Sequence, residues 1–219
     1  MIAPKDDIVA DKNANSVYAL LAELDPFSVQ DLLKAHAVMM NDLVAGAGTI
    51  RTSSVGVVGS DGKVIHVAPP HNRVGDLLKE LFDWLKTSKT HILIKSSVFH
   101  YEFEFIHPFL DGNERMGRLW QTALLSKWRP IFEWIPIESL IRANQQKYYE
   151  AISLSTSEGK SNSFIVFMLD MIRAAIEGAA TDTHEHINHI NNQISALMSA
   201  IESYPMSANE LMTKLGLKL

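Results

Sequence analysis

Hydrophobic positions repeat at helical spacing along most of this chain. Val17, Leu20, Leu21 and Leu24 form one such run, and Asp25-Pro26 interrupts it. "SVQDLLKAHAVMMNDLVAG", residues 28–46, predicts a helix opened by a capping Ser28 and closed at Gly46 and Gly48. The period then changes. "SSVGVVGSDGKVIHVAPP" holds two short β-branched runs around Ser60-Asp61-Gly62, which predicts a small hairpin closed by Pro69-Pro70. Val74, Leu77, Leu78, Leu81, Phe82 and Leu85 return to one helical face. A further helix is expected from about His91 to Ile106, ended by Pro108. Leu119, Trp120, Ala123 and Leu124 resume the helical period, so the loop within residues 105–118 joins two helices. More helices are expected over 136–155 and 162–178. The predicted fold class is mainly α with one β-hairpin.

The pattern shifts again near Thr181. "TDTHEHINHINNQ" is polar, and Ile194, Leu197, Met198 and Ile201 then make an apolar stripe. "SANELMTKLGLKL" reads as the start of a helix-turn-helix, with Ser207 as cap and Gly216 as turn. The expected organisation is a core over 1–180, with the hairpin near 55–70, and a C-terminal segment over 181–219 holding a helix and a partial helix-turn-helix.

Composition narrows the partners. With 219 residues, 47% of them hydrophobic, the chain can bury one sizeable core. A net charge of -5 argues against broad attraction to nucleic acid or membrane surfaces. The chain has no cysteine, which removes disulfides and thiolate metal sites and makes a cytoplasmic setting the simplest expectation. No apolar run approaches the roughly eighteen residues of a membrane span.

The candidate chemistry is concentrated in "FIHPFLDGNERMGR", residues 105–118. His107 can be neutral near pH 7 and take a proton from a hydroxyl. Asp111 is a hard oxygen ligand of the kind Mg²⁺ accepts alongside phosphate oxygens. Gly112 and Asn113 suit a positive-φ turn whose backbone N–H groups can cradle an anion. The following helix N-terminus faces the same space. Arg115 and Arg118 lie near one face of that helix, where guanidinium groups grip phosphate. Taken singly, these residues are a Pro-broken helix, a solvated turn and surface arginines. Together they describe phosphoryl- or nucleotidyl-transfer machinery.

His107-Pro108-Phe109-x-Asp111-Gly112-Asn113-x-Arg115-x-x-Arg118 resembles the defining motif of the Fic-domain family. "AGAGTIRTSSVGVVG", "VIHVAPP", "FHYEFEF", "RMGRLWQT" and "QQKYYEAI" extend the resemblance over roughly residues 15–178. The resemblance implies the Fic fold, a helical bundle core with a β-hairpin flap. It implies a protein adenylyltransferase that moves AMP from ATP-Mg²⁺ to a Ser, Thr or Tyr hydroxyl of a target protein and releases pyrophosphate. In that scheme His107 is the base and Asp111 holds Mg²⁺. Gly112, Asn113 and the backbone of Glu114 form the anion hole, while Arg115 and Arg118 contact phosphates. Tyr148 lines the nucleotide pocket, Phe109 anchors the loop, and Val64, Ile65, His66 and Val67 form the flap that docks the target chain. His66 fits a packing or ribose contact better than a second base. The alternatives are removal of AMP, transfer of another nucleotide or of phosphate, or DNA regulation through the C-terminal helix-turn-helix. Charge disfavours the last. Fic cores often form dimers, so a homodimer is a further expectation.

Two departures stand out. Glu114 occupies a position the family usually gives to Gly, or to Lys in a phosphotransferase branch. A carboxylate about 6 Å from a phosphate charge would be repelled by roughly 3 kcal/mol at an effective dielectric near 20, about a hundredfold in affinity. A positive φ at Glu114 would add about 1 kcal/mol of strain. Weakened activity with ATP is therefore expected, unless the side chain turns to solvent or to an arginine. The second departure is the missing inhibitory pattern Ser/Thr-x-x-x-Glu-Gly/Asn: its Ser/Thr position holds Leu154 before Glu158-Gly159 and Arg173 before Glu177-Gly178. The expectation is a core trimmed of its inhibitory helix and C-terminal winged helix, with Arg118 unlatched and an inhibitor arriving, if at all, from another chain. His184, His186 and His189 do not converge on a helix and are expected to be solvated; Trp120, Trp128 and Trp134 are expected in the core.

Overall fold

A computed structural model describes residues 5–58, 64–135, 137–179 and 184–203. Among them are nine α-helices and one pair of strands, so the chain is mainly α. Two compact units divide it: Met1–Lys86 with Glu102–Leu124, and Thr87–Tyr101 with Leu125–Leu219.

In the first unit, α1 (Lys5–Ala19) packs on α2 (Val29–Met39). Asn13 Nδ2 donates to Asn41 O at 2.7 Å, tying α1 to the end of α2. Ser28 caps α2 by accepting from Asp31 N, as its sequence position predicts. The helix stops earlier than expected, at Met39, and Asp42 takes a left-handed φ of 59°. Asn and Asp are weak helix formers that tolerate such turns, and here Asn41 Nδ2 donates to Asp42 Oδ2 at 2.9 Å. Strands β1 (Gly56–Val58) and β2 (Val64–Val67) pair antiparallel, with Gly56 opposite Val67. The Ser60-Asp61-Gly62 turn expected between them lies outside the described residues. Helix α3 (His71–Thr87) buries Val74, Leu78, Leu81, Phe82 and Leu85, its predicted face. Each such burial contributes about 1.5–3 kcal/mol. Trp120 is fully buried, donates through Nε1 to Pro26 O at 2.9 Å and meets Phe82 edge-on.

Helix α4 (Ile92–Ile106) and helix α5 (Asn113–Trp128) each contribute residues to both units. In the second unit, the segment expected as one helix over 136–155 is two. Asn144 leaves helical geometry between α6 (Ile137–Ala143) and α7 (Gln145–Glu158), and its Nδ2 turns back to Leu140 O. Gly159, at φ 63°, ends α7, and Ser155 Oγ accepts from Phe164 N near the start of α8 (Asn162–Ala179). Helix α9 (His184–Ser203) packs on α8 and buries Ile190, Ile194 and Ile201. Trp134 departs from expectation: it sits just after the 3-10 turn Pro130–Glu133 and is 82% exposed. The side chains of His184, His186 and His189, and the Ser207–Gly216 segment, lie outside the described residues. No helix among the described residues is long and apolar enough to cross a membrane.

Candidate active site

The quoted loop spans the end of α4 and the start of α5, within the first unit. His107 N still donates to Phe103 O at 2.9 Å, closing the last helical turn, but its φ is +50°. Pro108 then prevents continuation. Left-handed geometry costs a residue with a Cβ about 1 kcal/mol or more, and such strain tends to concentrate at functional positions. The strain that a positive φ would bring at Glu114 does not arise, since among the described non-glycine residues only Asp42 and His107 have one. Glu114 instead lies in the first turn of α5, where its charge complements the helix N-terminus.

Loop geometry is set from behind. Asn113 Oδ1 accepts from Phe109 N, and Asn113 Nδ2 donates to Phe109 O, both at 2.9 Å. Phe109 is fully buried and anchors the loop as expected, stacked on His36 at 3.6 Å with planes 7° apart. Gly112 takes φ +80°, and a Cβ there would meet Met40 Sδ at 2.5 Å, so a side chain would be strained by the turn and would have to push the Met40 side chain aside. Asp111 is exposed, and its Oδ1 accepts from Gly112 N at 2.6 Å. That N–H therefore reaches an anion only after the carboxylate lets go.

Three ionisable groups converge beside His107. Arg118 Nη1 donates to Glu114 Oε1 at 2.6 Å, one helical turn apart and mostly shielded from water. Arg118 is thus latched by the chain's own motif, contrary to the expectation that it is open. Glu104 Oε2 is 3.9 Å from His107 Nδ1. Burial, followed by the charge of Glu114, pushes the Glu104 pKa up to about 8, against the opposing pull of Arg118. Glu104 therefore holds its proton to higher pH than an exposed carboxyl would.

Of the expected site residues, His107, Asp111, Gly112, Asn113, Glu114, Arg115 and Arg118 share one loop and the first turns of one helix. Val64, Ile65, His66 and Val67 form β2 of the same unit; Val67 is exposed. Tyr148 belongs to the second unit, fully buried, with its hydroxyl 3.1 Å from His100 Nε2 and its ring against Phe164 and Phe167. Among the described residues no three His, Asp or Glu side chains converge as a metal site. Asp111 alone suits Mg²⁺ only where phosphate oxygens and water complete the shell, and an exposed carboxylate beside an amide-rich turn fits that use.

Residues 26–125 match the sequence model of the Fic/DOC family. A crystal structure of a Fic family protein from Desulfovibrio desulfuricans G20 superposes with a TM-score of 0.77 at 38% identity, covering 100% of this chain and 66% of that one. This chain is a Fic-domain protein. Protein adenylyltransferase fic-1 of Caenorhabditis elegans is 29% identical over 164 residues, 72% of this chain and 30% of that protein. A probable protein adenylyltransferase of Aquifex aeolicus (strain VF5) is 30% identical over 125 residues, 56% of this chain and 36% of the relative. The Fic domain described here therefore spans about a third of the length of these curated relatives.

Sequence reasoning missed three groups around this Fic loop: His36, Arg51 and Glu104. His36 was visible as a lone ring within the buried series Leu32, Ala35, Met39. Arg51 followed a glycine-rich stretch without any helical or strand pattern to explain it. Glu104 lies between Phe103 and Phe105 near the end of α4, and nothing local marked it as buried.

Proposed function

We propose that this Fic domain transfers AMP from ATP to a Ser, Thr or Tyr hydroxyl of a target protein. His107 accepts the hydroxyl proton as the target oxygen bonds to the α-phosphorus. The bond from that phosphorus to the bridging oxygen breaks, and pyrophosphate leaves. Mg²⁺ bound through Asp111 would neutralise charge on the phosphates. The turn at Gly112, the start of α5 and Arg115 bind and orient the polyphosphate, with catalysis coming from positioning and charge stabilisation. Tyr148 is kept on the nucleotide side on the strength of the resemblance alone. β2 would receive the target backbone by strand addition, a role supported by its bonding to β1 in a two-stranded sheet. A homodimer and an inhibitor supplied by another chain belong to the same proposal.

One observation carries this reading: a histidine held in a strained conformation at one end of a six-residue loop whose other end opens a helix bearing both arginines. The experiment is to incubate the protein with ATP labelled at the α- or γ-phosphate, with and without His107→Ala. Protein labelling from α alone, lost in the variant, is expected. Labelling from γ alone would make it a phosphotransferase, and labelling from neither would leave a binding role or removal of AMP.

The Glu114–Arg118 contact favours a specific refinement, attenuated use of ATP. Arg118 meets a phosphate only by exchanging it for a carboxylate already in place.

A further inference from the structure

Carbonyl oxygens are the part of a turn that repels an anion, and in this loop most of them are engaged by the protein. Arg51 Nε donates to His107 O at 2.7 Å, and Arg51 Nη2 reaches Ile106 O at 3.3 Å. Arg51 N donates to Pro108 O at 2.9 Å. Asn113 takes Phe109 O, and Met116 N takes Gly112 O. Asp111 O is held by a residue from a different helix, His36 of α2, whose Nε2 lies 3.0 Å away.

The His36 ring is fixed on all sides. Its Nδ1 accepts from Gly48 N at 2.8 Å. A backbone N–H can only donate, so Nδ1 carries no proton and Nε2 must be the N–H that donates to Asp111 O. The ring face lies flat on Phe109, and the side chain is fully buried. Burial also lowers the tendency of the ring to take a second proton. Such a ring has one tautomer, one orientation and one place to put its hydrogen bond.

We infer that His36 is a positioning residue, which holds the Asp111 carbonyl back and so keeps the N–H of the Asp111–Gly112 peptide on the side where a phosphate of a bound nucleotide would replace the Asp111 carboxylate. The inference rests on the proposed nucleotide-binding role of this loop. If the carbonyl were released, the peptide between Asp111 and Gly112 could rotate. That rotation would bring an oxygen toward the anion and displace the Asp111 carboxylate that accepts from Gly112 N. His36 acts through the loop backbone, at a distance from the reacting atoms.

The two ring nitrogens can be tested separately. In His36→Gln the amide nitrogen reaches the place of Nε2, which keeps the donor to Asp111 O. In His36→Asn the amide oxygen takes the place of Nδ1, which keeps the acceptor for Gly48 N and loses the bond to Asp111. Each variant is titrated with pyrophosphate and with ATP, both with Mg²⁺, by calorimetry, alongside thermal melts. The wild type and His36→Gln should bind within about threefold of each other. His36→Asn should bind about tenfold more weakly, as expected for one lost hydrogen bond in a shielded site.

Equal affinity in wild type and His36→Asn would overturn the inference. So would weakening of both variants in proportion to lost melting temperature, or failure of both to fold, since His36 would then serve stability alone. Absence of pyrophosphate and ATP binding by the wild type points elsewhere: the nucleotide reading of the loop would fail, and the role of His36 with it.

Discussion

Glu114 Oε1 lies 2.6 Å from Arg118 Nη1, so the unusual residue of the motif and its last arginine form one ion pair. Geometry favours the pair, because an acid four residues N-terminal to a base on a helix is the better orientation. Its proximity to Glu104 couples it to the group beside His107.

Replacing Glu114 with Gly or Gln should free Arg118 for phosphate. Nucleotide affinity is expected to rise by roughly tenfold to a hundredfold, the range set by one carboxylate charge at about 6 Å. Gln retains helix propensity and so isolates the charge. Titration with ATP-Mg²⁺ and measured turnover check this; unchanged affinity and turnover in both variants would remove the inhibitory role of Glu114.

His107 should reveal its strain through paired substitutions. Both His107→Ala and His107→Gly are expected to lose transfer. The Gly variant should be more stable than the Ala variant by about 1 kcal/mol, because glycine adopts φ +50° without the Cβ penalty. Denaturant unfolding of the two proteins measures the difference.

Glu104 predicts a pH dependence of definite sign. Its pKa is raised in the folded protein to about 8 from an ordinary value of 4.5. The native state therefore binds more protons than the unfolded one between those values. Stability should fall as pH rises from about 5 to 8, by at most about 1.4 kcal/mol per pH unit from this group. In Glu104→Gln that slope should flatten. It should not vanish, since burial moves Glu102 in the same direction. Unfolding free energies at several pH values test this, and an unchanged slope in the variant would assign the dependence elsewhere.

Gly112→Ala should damage the loop by two routes. The positive φ costs roughly 1–2 kcal/mol, and the added methyl must displace the Met40 side chain. Reduced stability together with weakened pyrophosphate binding is expected, measured by thermal melts and calorimetry.

Much of the fold was legible because its helices are amphipathic: the α3 face and the Ser28 cap both lie where the residue pattern puts them. Helix ends were less legible. Asn41-Asp42 and Asn144 sit where helices break, and hydrophobic periodicity does not register short polar residues of this kind. The motif loop could be read because its groups are adjacent in sequence. Its supports could not: His36 is 75 positions from Asp111, and Arg51 is 56 from His107. The latch on Arg118 was open to either outcome, because a rotamer decides whether Glu114 faces its neighbour or the ligand.

The Arg51 guanidinium has a consequence beyond the loop it grips. Nη1 holds Ser53 O at 2.8 Å and Nη2 holds Pro69 O at 2.6 Å, while Nε holds His107 O. Both ends of the excursion that carries the strands are therefore fastened at a single rivet. A change made between Ser53 and Pro69 therefore leaves both of its anchor points on the same side chain that holds the carbonyl of the histidine.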